Sequence, residues 1–221
     1  MRTARVGRNE YYQSLKSLAR EKRQAFGIRT DTLGLREVRK IYRAEDVTID
    51  LWPHKLRKVR AAYFPNDGAP CVLLNKNMPV EPRLFSLLHE LKHHFVDGAE
   101  LAKTGITCRD YANGEVAPEI EIGAEVFAAE FIFPEEEFAA WASQYVKLGQ
   151  CRPEDVVALK RNCSAKVSYT YLVKRLEWLH FAEKGTLGGV NYTKLEERLY
   201  GPPLYKKILA WRQRRTAPQG S

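Results

Sequence analysis

Apolar positions recur at helical spacing along most of the chain and at strand-like spacing in one short region. Tyr12, Leu15, Leu18 and Ala19 share a face of a basic helix over 9–26, which Gly27 ends. Leu35, Val38 and Ile41 mark a second helix over 33–42. Short apolar runs at 47–51, 59–64 and 71–74 predict three strands. Pro65, Asn66, Asp67, Gly68 and Pro70 supply turn chemistry between the last two, which predicts a hairpin. The strongest helical pattern covers 82–96. Pro118 suits the first turn of another helix that ends near Pro134, and a third runs over 135–147. Residues 153–161 and 165–182 form a helix pair around Cys163 and Ser164, followed by the glycine-rich 185–189. From Tyr192 the pattern is helical again, broken by Pro202 and Pro203, and 216–221 are expected to be disordered. The expectation is an α+β fold, mostly helical, with a small three-stranded sheet.

Composition narrows the class. With 221 residues, 44% hydrophobic and 29% charged, the chain can bury a sizeable core. No apolar run approaches the ~18 residues a membrane span needs. Met1 to Arg23 is basic and lacks an apolar stretch, so a secretory signal is not expected. Cys71, Cys108, Cys151 and Cys163 form no Cys-x-x-Cys pair, and a reduced, cytoplasmic protein is the expectation. The net charge of +9 is unevenly spread: residues 1–60 hold 16 basic and 7 acidic residues, 61–150 hold 6 and 14, and 151–221 hold 14 and 6. An acidic middle therefore lies between basic arms, which could face nucleic acid or an acidic protein, or be solvated helix faces.

The acidic middle carries the chemistry. His89-Glu90-Leu91-Lys92-His93 has the form His-Glu-x-x-His. Residues i and i+4 share a helix face, so both imidazoles can reach one ion. Glu90 lies ~100° around the helix, beside such an ion, where it can act as general base toward a zinc-bound water. Leu84, Leu88, Leu91 and Phe95 fall on the opposite side, which leaves the histidine face free to look into a cleft. A catalytic zinc needs a third protein ligand. Glu121, Ala124, Glu125 and Ala128 share a face of the next helix, and the alanines let it approach closely. Glu121 is the expected ligand; Glu125, one turn on, could ligate instead or orient a histidine. His94 points away and is expected to support the ligands from behind or to pack, and His54 and His180 are expected to be structural. Arg109, Tyr111 and Tyr145 are open candidates for stabilising an oxyanion.

Arg83-Leu84-Phe85-Ser86-Leu87-Leu88-His89-Glu90-Leu91-Lys92-His93 and the segment Glu121-Ile122-Gly123-Ala124-Glu125-Val126-Phe127-Ala128-Ala129, running on to Pro134, resemble the two motifs of the ImmA/IrrE metallopeptidases. In register, the family's glutamate ligand falls on Glu121. Lys92 stands where the family often has glycine, Glu125 where it has asparagine, and Asp97 where some members have a further histidine. The resemblance implies a zincin-like core with one Zn2+ (Mn2+ a possible substitute) on His89, His93 and Glu121. It also implies a cytoplasmic endopeptidase that cleaves a regulatory protein, typically a helix-turn-helix repressor, in stress response and transcription regulation. The resemblance covers about 33–180, and the expected layout is a basic helical extension at 1–30, a zincin-like domain at 31–150, a helix-turn-helix-like part at 151–184, and a basic helical tail at 185–221. Cations on that helix pair, Lys166, Lys174 and Arg175, make DNA contact an open option. A substrate strand pairing with a sheet edge, with Cys71–Leu74 as the expected edge, would present its backbone to the metal. The competing reading is a DNA- or protein-binding regulator whose metal site is structural or vestigial; an intact Glu90 argues against it.

Overall fold

The computed structural model describes residues 2–52, 60–65, 69–104 and 118–216. Helix α1 (Arg2–Ala25) and α2 (Leu35–Ala44) precede strands β1 (Thr48–Trp52), β2 (Ala61–Phe64) and β3 (Cys71–Asn75). Helix α3 (Val80–Lys92) runs into a π-helical turn at His93–Asp97 and then α4 (Gly98–Thr104). Helices α5 (Pro118–Ile132) and α6 (Glu135–Ala142) follow. The fold is α+β, as the pattern predicts, and each predicted strand appears within two residues of its expected start.

The strand order is β1-β3-β2, with β1 parallel and β2 antiparallel to β3. The antiparallel β2–β3 pair agrees with the predicted hairpin, whose residues 66–68 lie outside the described residues. The expectation that Cys71–Leu74 offers a sheet edge is overturned. β3 is the central strand, and its backbone groups are taken on both sides.

The described residues pack into two units. The first comprises residues up to Trp141 together with Cys163–Ser168. Its core is α3 and α5 packed against each other and α1 laid over α5. Leu84, Leu87, Leu88 and Leu91 of α3 and Phe127 and Phe131 of α5 are fully buried. Each contributes about 1.5–3 kcal/mol by leaving water. The close approach of α1 depends on Gly123, since a Cβ there would lie 2.8 Å from both Leu15 Cδ1 and Tyr11 Oη. Ion pairs fasten the same interface: Arg8 to Glu119, Lys16 to Glu135, and Arg20 to the fully buried Glu130. Of the N-terminal basic arm, open above between a partner-facing surface and solvated helix faces, Arg8, Lys16 and Arg20 are thus engaged by the acidic middle.

The second unit comprises Ala142–Asn162 and the residues from Tyr169 onward. It contains α7 (Pro153–Asn162), α8 (Tyr169–Trp178), α9 (Tyr192–Tyr200) and α10 (Leu204–Thr216). Helix α8 starts four residues later than expected. Asn191 caps α9 by accepting from Lys194 N, and Tyr192 stacks on Tyr169 at 5.1 Å. Of the cations noted on α8, Arg175 is buried and Lys174 exposed.

Candidate metal centre

Helix α3 places His89 and His93 one turn apart, and α5 brings Glu121 against them. His89 Nε2 lies 3.2 Å from Glu121 Oε2 and 3.3 Å from His93 Nε2, and His93 Nε2 lies 3.5 Å from Glu121 Oε1. One ligand atom from each residue falls within 4.8 Å of the others, and such a group can hold a metal ion. Ligand atoms around a tetrahedral ion at ~2.0–2.1 Å are separated by roughly 3.3 Å, so the observed spacings suit an ion without rearrangement. Two further observations support the fit. Glu90 is 4% exposed, and its Oε2 is buried without a hydrogen-bond donor among the described residues. Glu121 Oε1 is in the same condition. Buried carboxylate oxygens of this kind are costly unless a cation or a water satisfies them.

The histidine side is more enclosed than an open cleft. The His93 side chain is completely buried, while His89 and Glu121 retain 17% and 29% exposure, so access runs past those two. The reason lies in packing, because α5 covers the face that the helical pattern leaves free.

The π turn carries features that the motif does not announce. His93 Nδ1 lies 2.6 Å from Asp97 Oδ2, and the fully buried Lys92 donates from Nζ to the same oxygen at 2.6 Å. Lys92 Nζ also donates to the carbonyl of Ile120 at 3.2 Å, tying α3 to α5 one residue before Glu121. The carboxylate sets His93 as a donor at Nδ1, which leaves the Nε2 lone pair directed at the cluster. Burial pushes the Asp97 carboxyl up, but its hydrogen bonds with His93 and Lys92 outweigh this and hold it below its ordinary value. Burial likewise opposes the charged form of His89. The contact with Glu121 and the charges of Glu90, Glu121 and Glu125 reverse that effect and raise it. Glu121 is held low, since its hydrogen bond with His89 and the surrounding cations overcome burial. The i, i+4 spacing of His93 and Asp97 is present in the sequence, whereas the i, i+5 contact of Lys92 with Asp97 depends on the π-helical winding.

Residues 44–161 match the family described as the IrrE N-terminal-like domain, peptidase family M78. The chain belongs to this family. Its fold is zincin-like, α+β with the small mixed sheet before the motif helix. The solved structure of a Mycobacterium tuberculosis transcriptional regulator is similar over 77% of this chain, with 18% sequence identity and a TM-score of 0.50. This chain spans half the length of that protein. No curated protein matches the chain.

Glu125 is half-buried and stands outside the ligand cluster, though its charge is felt at His89. His94 packs away from the cluster: its Nδ1 meets Tyr63 Oη at 3.1 Å and its Nε2 lies 3.6 Å from Glu45, while burial lowers its pKa. His54, Cys108, Arg109 and Tyr111 lie outside the described residues. Tyr145 and His180 belong to the second unit. Cys71, Cys151 and Cys163 are free thiols, and no described helix is long and apolar enough to cross a membrane.

Proposed function

We propose that this chain is a cytoplasmic zinc endopeptidase that cuts a regulatory protein, a helix-turn-helix repressor, at a defined site. The observation that carries the reading is the spacing of His89 Nε2, His93 Nε2 and Glu121 Oε2 beside the buried, unsatisfied carboxylate of Glu90. His89, His93 and Glu121 would hold one Zn2+, with Mn2+ able to replace it, within a peptidase domain at 31–150. The ion supplies Lewis acidity, making water more acidic and polarising the scissile carbonyl. Glu90 accepts the proton of the attacking water on its carboxylate and passes it to the leaving amine nitrogen. Asp97 holds His93 in one tautomer and orientation. Nearly complete burial of Glu90 and His93 keeps bulk water from competing for these groups.

Residues 151–184 and the tail that follows would provide further surface for the protein substrate, or for nucleic acid. A purely structural metal site would have no use for a carboxylate in the position of Glu90, which favours the enzyme reading over a vestigial centre.

Elemental analysis of the purified chain should find one zinc per chain, removable by chelation. Incubation with candidate repressors should yield a single cut that the chelator abolishes. Absence of tightly held metal, or fast unselective digestion of unfolded casein, overturns the reading. Glu90→Gln should keep the metal and lose turnover by ~10²–10⁴-fold; cleavage at the parental rate would remove Glu90 from the mechanism.

A further inference from the structure

β1 is an outer strand of the sheet, and its backbone geometry shows which groups face outward. Thr48 N donates to Pro70 O, and Trp52 O accepts from Lys76 N, both on the β3 side. In a strand the backbone groups of alternate residues point the same way. Residues 48, 50 and 52 therefore face β3, and the N–H and C=O groups of Ile49 and Leu51 face away from it. No described strand pairs with that outer edge. Leu51 is 43% exposed.

Beside this edge runs a cleft of about 530 Å³, lined by Arg39, Tyr42 and Arg43 of α2 and by Val47, Ile49 and Leu51 among the residues of the strand side. Helix α2 is strongly two-faced. Val38, Ile41 and Tyr42 are buried, and Tyr42 Oη donates to Leu87 O, which fixes the helix on α3. Arg36, Arg39, Lys40 and Arg43 follow the i, i+3, i+4, i+7 spacing of one face, and all four are exposed. None of them meets a carboxylate among the described residues. This contrasts with α1, where Arg8, Lys16 and Arg20 each do.

We infer that the outer edge of β1 and the basic face of α2 form a docking groove for an extended acidic segment of a partner protein. The segment adds a strand to the sheet by bonding to Ile49 and Leu51, sets apolar side chains against the cleft, and places acidic side chains opposite Arg39 and Arg43. An unpaired strand edge selects polypeptide, because a phosphate backbone has no matching alternation of donors and acceptors. Asp46 in the cleft wall and Asp50 on β1 also disfavour a uniformly anionic polymer. The groove is a binding device separate from the metal centre: a chain that cuts nothing but captures such a segment supports it, and an active peptidase that ignores the segment overturns it.

The test uses the full chain carrying Glu90→Gln, so that the probe stays intact. The probe is a fluorescein-labelled peptide of about ten residues alternating Glu and Val, compared with a Lys/Val peptide and with duplex DNA. Anisotropy should report binding of the Glu/Val peptide, weakened by added salt. R39E together with R43E should weaken it by about tenfold or more. Ile49→Pro removes an outward N–H without touching the β3 ladder and should weaken it comparably. If that variant fails to fold, judged by circular dichroism, the arginine pair decides alone. Hydrogen exchange at Ile49 and Leu51 should slow when the probe binds. Equal binding by the arginine variant, preference for the Lys/Val peptide or DNA, or protection elsewhere on the chain instead overturns the inference.

Discussion

At the scale of single residues, Lys92 and Asp97 form a supporting layer behind His93 of the candidate metal cluster. A fully buried lysine is costly unless its charge is met, and here Asp97 meets it while also holding His93. Asp97→Asn should lower zinc affinity by ~10–100-fold, the usual penalty for losing a carboxylate behind a ligating histidine. Competition with a chromophoric chelator measures this directly, and parental affinity would show that Asp97 merely packs. The buried Cys151 offers a contrast without a partner role. Burial pushes its thiol up to about 12. At pH 8 its thiolate fraction is therefore only on the order of 10⁻⁴, and iodoacetamide should label it only after denaturation. Labelling of the native protein at the rate of an exposed cysteine would contradict this.

At the scale of elements, the candidate metal centre depends on how α5 is held. Glu121 sits in the first turn of α5, and two residues later Gly123 faces α1 with no room for a side chain. Gly123→Ala should destabilise the fold by ~1–3 kcal/mol through overpacking against Leu15 and Tyr11. It should also weaken metal binding, because α5 can relieve the clash only by moving Glu121. Urea melts and zinc titration together test this; a stable variant with unchanged zinc affinity would show that Leu15 and Tyr11 give way instead. The Arg20–Glu130 pair acts on the same interface. Glu130 also accepts from Glu135 N, joining α5 to α6. Removing Arg20 would leave a buried carboxylate short of one partner.

At the scale of the whole molecule, a bound metal would compete with protons for the same groups. His89 Nε2 and Glu121 Oε2 lie 3.2 Å apart, and each favours the charged form of the other. The carboxyl of Glu121 is lowered from 4.5 on folding, so its contribution is present above that value and lost as pH falls through the folded value. His89 is raised from 6.5, so its contribution is present below 6.5 and lost as pH rises through the folded value. The pair therefore stabilises the metal-free protein most between about 4.5 and 6.5. Zinc requires deprotonated ligands, so it should move the stability maximum to higher pH. Saturation at 100 times Kd adds ~2.7 kcal/mol. Thermal melts across pH with and without zinc give the answer, and coincident profiles would exclude metal binding by this pair.

Periodicity made most of the helices and all three strands legible, because one buried face imposes its spacing on the sequence. His89, Glu90 and His93 were legible because i, i+4 spacing on a helix is a local property. Glu121 was reachable as well, through small residues on the face it shares. Other features depend on groups far apart in sequence. β3 became the central strand through pairing with β1 across the sheet, so the expected edge at Cys71–Leu74 lies at β1 and β2 instead. The basic N-terminal helix looked like an interaction arm until α5 and α6 supplied its carboxylates. Lys92 meets Asp97 at i, i+5, which a π turn brings onto one face. Spacing within one helix or strand was enough to read the elements and the pairing of His89 with His93. The tertiary structure alone decided which edges and charges stay open, because pairing and burial depend on what the other elements bring alongside.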